Sequence, residues 1–204
     1  MESLEKVCSA VSQCKLCDLH YFRRKSVCGV GNPAARIMII GEAPGTKEDE
    51  VGKPFVGRSG QLINRVMNEF GMSRDEVYIT NSVRCKPKAG TSPKTREIKT
   101  CSSYLKAEIG LLKPQLIIPM GNTAIRSLGL IMDRKLGKIS GISGKFFLIG
   151  NYLISPQFHP AAILRNPKKL EYFRINLGRA FEMARHLTAD LSQEFLKANR
   201  IEIL

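Results

Sequence analysis

Short apolar runs alternate with segments that carry apolar residues at helical spacing along most of the chain. Residues 36–40, 77–83 and 115–120 read RIMII, VYITNSV and QLIIPM, and each run predicts a buried strand. Residues 145–149 and 152–155 predict the last strands. Because predicted helices separate the first three strands, the pattern favours an α/β fold with a mostly parallel sheet covered on both faces.

The helical segments differ in the strength of their signal. We predict helices over 4–13 and 95–112, one capped by Ser59 and ended by Gly71, and a short one from Gly121 to near Gly129. The strongest signal is a closing helix whose single stripe of apolar side chains is expected to face the core, formed by Leu170, Phe173, Leu177, Ala180, Phe181, Ala184 and Leu187.

Segments 41–60, 80–82 and 158–162 follow predicted strands. Ligands of parallel sheets bind outside the carboxyl ends of the strands, so we expect these segments to form the site. The turn at 41–45, GEAPG, is not a phosphate loop, because no Gly-Lys-Ser/Thr follows and Pro44 removes a backbone donor. Taken singly, Asn81 is most simply a turn residue and His159 a structural histidine.

The chain is strongly basic. Lys and Arg number 32 against 18 Asp and Glu, and the net charge of +14 makes nucleic acid the first partner to consider. An unrelated basic enzyme is the alternative. With no apolar run of membrane-spanning length and no signal-peptide core at the N-terminus, we expect a cytoplasmic protein that does not bind a membrane.

Four of the six cysteines have the spacing of a metal site. Cys14 and Cys17 share one loop, Cys85 follows the second predicted strand, and Cys101 lies in the next helix. By spacing alone, structural zinc and an iron–sulfur cluster are equally supported. A disulfide framework is not expected in a cytosolic chain, so we expect the other two, Cys8 and Cys28, to be spare.

Three runs together resemble the family 4 uracil-DNA glycosylases: GEAPGTKEDEVGKPFVGRSGQL at 41–62, VYITNSVRCKP at 77–87 and HPAAILRNP at 159–167. The cysteine spacing resembles that family as well. The resemblance implies a three-layer α/β/α sandwich around a mostly parallel, four-stranded sheet. It also implies a 4Fe-4S cluster on the four cysteines, a glycosylase domain over 1–187 with a C-terminal extension over 188–204, and a monomer that acts on uracil-containing DNA, double- or single-stranded.

The resemblance also implies roles for individual residues around a uracil flipped out of DNA. Phe55 matches the position that stacks on the base, and Asn81 the amide that reads its Watson–Crick edge. Glu48 matches the side chain that crowds C5 and excludes thymine. His159 matches the donor to uracil O2, where negative charge develops on cleavage. The backbone N–H groups of residues 42 and 43 are expected to help.

The partner of the attacking water stays open. Many uracil glycosylases carry an Asp in the first motif, where this chain has Ala43. Glu42, one position away, is our candidate for orienting the water, and Asp49 is the second choice. Either carboxylate is also consistent with an ordinary solvated surface position.

Two segments are candidates for contact with DNA. In related enzymes the loop after the histidine inserts into the gap left by the base, which makes Ile163, Leu164 and Arg165 the candidate wedge, followed by Lys168 and Lys169 as phosphate ligands. Leu164 is alternatively an inward-packing residue. The basic segment 84–96 lies between cluster ligands, so the cluster would staple a DNA-contacting loop; a solvated basic loop is the alternative.

Two competing functions remain at this stage. A family 5 glycosylase typically lacks the acidic residue found here as Glu42, which ranks it lower. A non-catalytic, cluster-bearing nucleic-acid-binding module does not require Phe55, Asn81 and His159 together. In the tail, residues 193–196 partly match a sliding-clamp motif but lack its terminal aromatic pair.

Overall fold

The computed structural model describes residues 3–187 and 193–204, which form nine α-helices and seven strands. The helices are α1 (Leu4–Gln13), α2 (Thr46–Val51), α3 (Arg58–Glu69), α4 (Thr95–Leu112), α5 (Gly121–Met132), α6 (Ile139–Ile142), α7 (Pro160–Arg165), α8 (Leu170–His186) and α9 (Gln193–Ala198). The strands are β1 (Val30–Gly31), β2 (Ile37–Gly41), β3 (Val77–Asn81), β4 (Leu116–Pro119), β5 (Phe146–Ile149), β6 (Tyr152–Ile154) and β7 (Ile201–Ile203).

The predicted α/β class is confirmed, but the sheet is wider than the predicted four strands. Its order is β1-β3-β2-β4-β6-β5-β7. The four central strands, β3, β2, β4 and β6, are parallel, whereas β1 pairs antiparallel with β3 and β5 antiparallel with β6. The added edge strands are short: β1 has two residues and β7 has three, too few for a period-two pattern to reveal them.

Side chains of the central strands alternate between two cores, one on each face of the sheet. On β2, Ile37 and Ile39 pack with residues of α3 and α8, including Phe173 and Phe181. Met38 and Ile40, on the opposite face, pack with residues of α4 and α5. Every residue of β2, β3 and β4 is buried. The predicted stripe of the closing helix faces the core, as expected from its period.

Three local predictions are wrong for identifiable reasons. Helix α3 is preceded by Gly57, so Ser59 lies in its first turn and is not its cap. Helix α5 continues past Gly129 to a left-handed Asp133; the glycine is required because a Cβ there would lie 2.6 Å from the carbonyl oxygen of Arg134. Cys8 and Cys28 are not spare but form a disulfide that joins α1 to the segment before β1.

The C-terminal residues 193–204 add an edge strand to the sheet. Strand β7 pairs in parallel with β5, placing Ile201 opposite Phe146, and Leu196 of α9 is buried. The predicted boundary between domain and extension falls at residue 188, which lies outside the described residues. Within the described ranges, no helix combines the length and apolar character needed to cross a membrane.

Candidate active site

A pocket of about 180 Å³ lies at the carboxyl ends of β2 and β3, where the sequence predicts it. Pockets that take drug-sized ligands measure roughly 300–1,000 Å³, so this smaller pocket suits a smaller ligand, such as one planar ring. We call it the strand-end pocket; its lining is Ala43, Gly45, Glu48, Phe55, Ser59, Asn81, His159 and Ala161. Five of the predicted base-binding residues are therefore brought together.

Asn81 ends β3 opposite Gly41 of β2. The residue is only 2% exposed, and its side chain makes no hydrogen bond to the described residues. The amide is open to the strand-end pocket, so a ligand there can pair with both its oxygen and its nitrogen. The neighbouring glycine is required sterically, because a Cβ on Gly41 would lie 2.3 Å from Oδ1 of Asn81 and 2.5 Å from the ring of Phe55.

Phe55 reaches the pocket from a strained turn. Its φ of 52° lies in the left-handed region, which non-glycine residues rarely adopt. Two neighbours hold this conformation: Arg74 donates from Nη1 to the Phe55 carbonyl over 3.0 Å, and Gly60 lets α3 approach so closely that a Cβ would lie 1.7 Å from that oxygen. The ring centroid lies 6.2 Å from that of His159.

His159 caps helix α7, and the cap fixes which ring nitrogen carries hydrogen. Its Nδ1 accepts from the backbone N–H of Ala161 over 3.2 Å. A neutral ring must then carry its proton on Nε2. Burial lowers the pKa of His159, and the Glu42 carboxylate only partly opposes that shift. The residue is therefore a neutral hydrogen-bond donor at neutral pH.

Glu48 lines the pocket with a carboxylate in a fixed position. The backbone N–H of Gly57 donates to its Oε1 over 2.7 Å, across the turn that carries Phe55. Its other oxygen lies so close to Gly45 that a Cβ there would be 2.7 Å away. Glu48 is 9% exposed, so its position depends on these contacts and not on solvent.

The two candidate water-orienting carboxylates face different surroundings. Glu42 accepts from Oγ1 of Thr123 over 2.6 Å. It lies near enough to His159 for its charge to oppose the burial that lowers the pKa of His159. Asp49 is buried, and its Oδ1 accepts from the backbone N–H groups of Arg24 at 2.9 Å and Lys25 at 3.4 Å. Neither residue is part of the pocket lining. The contacts of Asp49 join α2 to the segment that follows Cys17.

The four predicted ligand cysteines line one cavity, the cysteine cavity. Cys14 ends α1, Cys17 follows one loop later, Cys85 comes four residues after β3, and Cys101 lies on α4. The remaining lining is Leu19, Val83, Arg84, Thr100 and Tyr104. Within 3–187 and 193–204, no three or more His, Cys, Asp or Glu side chains are grouped as ligands of a single metal ion.

Hydrogen-bond donors surround the sulfurs of this cavity. Arg23 donates from Nη1 to Sγ of Cys85 over 3.0 Å, and from Nη2 to the carbonyl of Cys14 over 2.9 Å. Burial raises the pKa of the Cys101 thiol to about 12, while a hydrogen bond from the backbone of Arg84 acts in the opposite direction. The pKa of Cys17 is likewise raised by burial and lowered by the backbone of Leu19.

Two residues of the segments proposed to contact DNA are buried in this structure. Ile163 is 2% exposed within the core beside α8. Arg84, the first residue of the basic segment, is 1% exposed and pairs with Glu108 over 2.6 Å, while Tyr78 donates to the same carboxylate. The helical turn directs Ile163 inward, and a buried partner compensates Arg84.

The other candidates for DNA contact remain at the surface. Arg165 and Lys168 are exposed, and Leu164 is half-buried against the core. Lys169 is exposed with its Nζ 4.4 Å from the centre of the Phe158 ring.

Comparison with known proteins places this fold and site in a class. Residues 28–181 match the model of the uracil DNA glycosylase superfamily, and the chain belongs to that superfamily. The chain is 42% identical to a type-4 uracil-DNA glycosylase of Saccharolobus solfataricus, over 82% of this chain and 80% of that protein. Type-4 enzymes of Pyrobaculum aerophilum (37%; 87% and 93%) and Thermotoga maritima (38%; 81% and 85%) are similarly related. Within the superfamily, the chain therefore belongs with the type-4 uracil-DNA glycosylases.

Sequence reasoning missed several residues that shape the site. Gly41 and Gly60 make room for Asn81 and Phe55, and Arg23 bridges two cysteine-bearing segments. The glycines stand in the quoted motifs, but a close approach between distant segments leaves no local signal. Arg23 lies in a run of basic residues with Arg24 and Lys25, and the sequence does not distinguish it from these neighbours.

Proposed function

We propose that this protein excises uracil from DNA by hydrolysing the bond between the base and its sugar. The observation that carries the proposal is the Asn81 amide, which is open to a pocket of one-ring size beside Phe55 and His159. Membership of the type-4 uracil-DNA glycosylases supports the same reaction.

Recognition follows from the donors and acceptors of the pocket. The Asn81 oxygen accepts from uracil N3–H, and its nitrogen donates to O4, while the Phe55 ring covers the face of the base. Cytosine presents the reversed pattern and would leave two buried polar pairs unsatisfied, at about 1–3 kcal/mol each. A flipped base meets this pattern only after leaving the duplex, so the substrate must be extruded or single-stranded.

Catalysis depends on a donor aimed at charge that develops during cleavage. As the glycosidic bond breaks, negative charge gathers on the uracil ring, and the Nε2–H of His159 donates to O2. The cap at Ala161 and the lowered pKa keep the ring neutral and in this tautomer, so the donor is in place before the reaction. Glu42 remains our candidate for orienting the water; the buried contacts of Asp49 to Arg24 and Lys25 leave it a structural role.

Exclusion of thymine is assigned to Glu48. Its carboxylate is held by Gly57 and lines the same pocket as Asn81, so a methyl group on C5 would meet a side chain that cannot move aside cheaply. Uracil lacks that methyl and fits. The selection against cytosine is thus polar, and the selection against thymine is steric.

We propose that Cys14, Cys17, Cys85 and Cys101 hold a four-iron four-sulfur cluster. Their side chains line one cavity, and thiolates are the ligands that such clusters take. Membership of the type-4 uracil-DNA glycosylases supports the cluster over zinc. When bound, the cluster supplies a crosslink between α1, the segment after β3 and α4. The chain's own residues carry out base recognition and cleavage.

The remaining proposals concern the DNA and the setting. Arg165, the last residue of the short helix that His159 caps, and Lys168, which follows that helix, are exposed and can contact phosphates, and Leu164 remains the candidate wedge. The glycosylase domain is proposed over 1–187, acting as a monomer in the cytoplasm. With Leu196 buried, the partial clamp motif at 193–196 gives no support to a sliding-clamp contact.

One experiment tests the main proposal. The visible absorption spectrum of the purified protein is recorded first. The protein is then mixed with an oligonucleotide containing a single uracil, and the free uracil is measured. We expect uracil release by a brown protein whose iron content exceeds its zinc content. Binding of the oligonucleotide without uracil release would favour the non-catalytic module, and an active, colourless zinc protein would overturn the cluster alone.

A further inference from the structure

The segment that follows the cysteine loop exposes large apolar side chains together with cations. Leu16, Tyr21 and Phe22 are 64%, 74% and 52% exposed, although side chains of this kind are usually buried. Lys15, Arg24 and Lys25 are exposed around them. We call these six residues the aromatic–basic strip.

The strip is held in place by its neighbours. The His20 ring donates through Nδ1 to the Cys17 carbonyl at 2.8 Å. The Tyr21 ring lies against the His20 ring with centroids 3.8 Å apart and planes tilted by 40°. Arg23, which follows Phe22, donates to Sγ of Cys85 and to the carbonyl of Cys14. The hydrogen bond between His20 and the Cys17 backbone therefore preorganises the exposed Tyr21 ring. Leu19, two residues before Tyr21, is buried and anchors the segment in the core.

The strip is also joined to the strand-end pocket. Asp49 accepts from the backbone N–H groups of Arg24 and Lys25, and it is adjacent in α2 to Glu48, which lines the pocket. The side chain of Lys25 lies against Gly52, which ends the same helix. Both sites therefore lie beside α2, at the carboxyl edge of the parallel strands.

We propose that the aromatic–basic strip binds a single-stranded segment of the DNA on one side of the flipped nucleotide. Aromatic rings bind unpaired bases by stacking without regard to sequence, and adjacent cations bind the phosphates between them. The net charge of +14 favours this polyanionic partner over an apolar protein surface. Two acidic residues border the strip: Asp18 is exposed, and Glu50 lies 3.9 Å from Arg24 in a solvent-exposed ion pair.

The inference rests on the proposed function, because it places the strip beside a base that the pocket has taken up. It predicts that the protein is suited to uracil in unpaired or frayed DNA, where bases next to the uracil are free to stack. A blunt duplex offers the rings no unpaired base until the strands open.

The test measures binding of fluorescently labelled oligothymidine to the full-length protein by anisotropy. Single variants Tyr21→Ala and Phe22→Ala should each weaken binding by about fivefold or more, the lower limit for loss of one base–aromatic stack. Tyr21→Trp should bind oligothymidine as tightly as wild type, because the larger ring can still stack. Ile175→Ala, which truncates an exposed apolar residue of α8, is the matched control and should bind like wild type.

Salt dependence separates the two halves of the strip. The ring variants should keep the wild-type slope of log affinity against log salt, because stacking releases no counterions. The triple variant Lys15→Gln, Arg24→Gln, Lys25→Gln should lower that slope by about two to three units. Wild-type affinity in both ring variants would overturn the proposal and leave the strip to a protein partner.

Failure of this inference is distinguishable from failure of the proposed function. The strip residues lie outside the pocket, so at saturating oligonucleotide the ring variants should release uracil as wild type does. If wild type releases no uracil, the proposed function has failed, whatever the anisotropy shows. If it releases uracil and the ring variants bind normally, only the strip assignment is wrong.

Discussion

The strand-end pocket and the cysteine cavity lie beyond the same strand, β3, and treat their functional atoms in opposite ways. In the pocket, the Asn81 amide makes no hydrogen bond to the described residues and is open to a ligand. In the cavity, the sulfurs receive donors from Arg23 and from backbone N–H groups. A polar group left unpaired favours a ligand that comes and goes with each turnover. Sulfurs that are already supported favour a group that stays bound.

The largest effect is expected from Asn81→Asp. The carboxylate cannot donate to O4 and places a charge against that oxygen, so the single-turnover rate on uracil should fall by about a thousandfold, given ~1–3 kcal/mol for each unsatisfied polar group and more for a charged one. Asn68→Asp, at an exposed position of α3, is the matched control. A rate within threefold of wild type would remove Asn81 from the site and with it the contrast between the two regions.

Replacing His159 by Leu should slow cleavage by about 10²–10³, the usual cost of one preorganised donor to developing charge. The pH profile sharpens this prediction. Because burial lowers the pKa of His159, the neutral donor should persist as pH falls through the ordinary histidine range, and the rate should drop only below it. Single-turnover rates from pH 4 to 8 measure this, and an apparent pKa at or above the free histidine value of about 6.5 would contradict it.

Two adjacent arginines test the support of the sulfurs. Arg23→Met removes a donor to Cys85 and to the Cys14 carbonyl and should speed loss of visible absorbance to an iron chelator by about tenfold, since outer-shell partners typically contribute 10–100-fold to metal affinity. Arg24→Met is the control, because that side chain is 76% exposed. Equal loss rates for both variants would mean that the Arg23 contacts do not retain the cluster.

The smallest effect on uracil is expected from Glu48→Ala. Uracil cleavage should stay within about threefold of wild type, while thymine excision should become measurable, because the block to the C5 methyl is removed. Glu48→Gln, which keeps the size of the side chain, should still reject thymine. Continued rejection of thymine by the alanine variant would assign the block to another lining residue, such as Ser59.

The parts of the fold that the sequence predicted are those with a periodic signal and enough length to display it. The four parallel strands and the stripe of α8 fall in this class, and Asn81 stands directly at the end of one of these strands. The roles of Glu48, Phe55 and His159, which lie further from strand ends, came from the family resemblance. What was missed depends on distant partners. Arg84 looks like a surface cation until Glu108 and Tyr78 surround it, and the disulfide between Cys8 and Cys28 joins residues whose spacing carries no signature.

The buried pair of Arg84 and Glu108 restricts how this protein can change over time. Losing either partner alone leaves an uncompensated charge inside the fold, at a cost of about 3–5 kcal/mol, whereas exchanging both for apolar residues can be nearly neutral. Single substitutions must therefore cross an unstable intermediate to reach an apolar version. Arg84 immediately precedes Cys85, and Glu108 binds Tyr78 on the strand that ends in Asn81. Strand β3 and Cys85 are thus expected to be inherited together. A redesign of either should replace Tyr78, Arg84 and Glu108 at the same time.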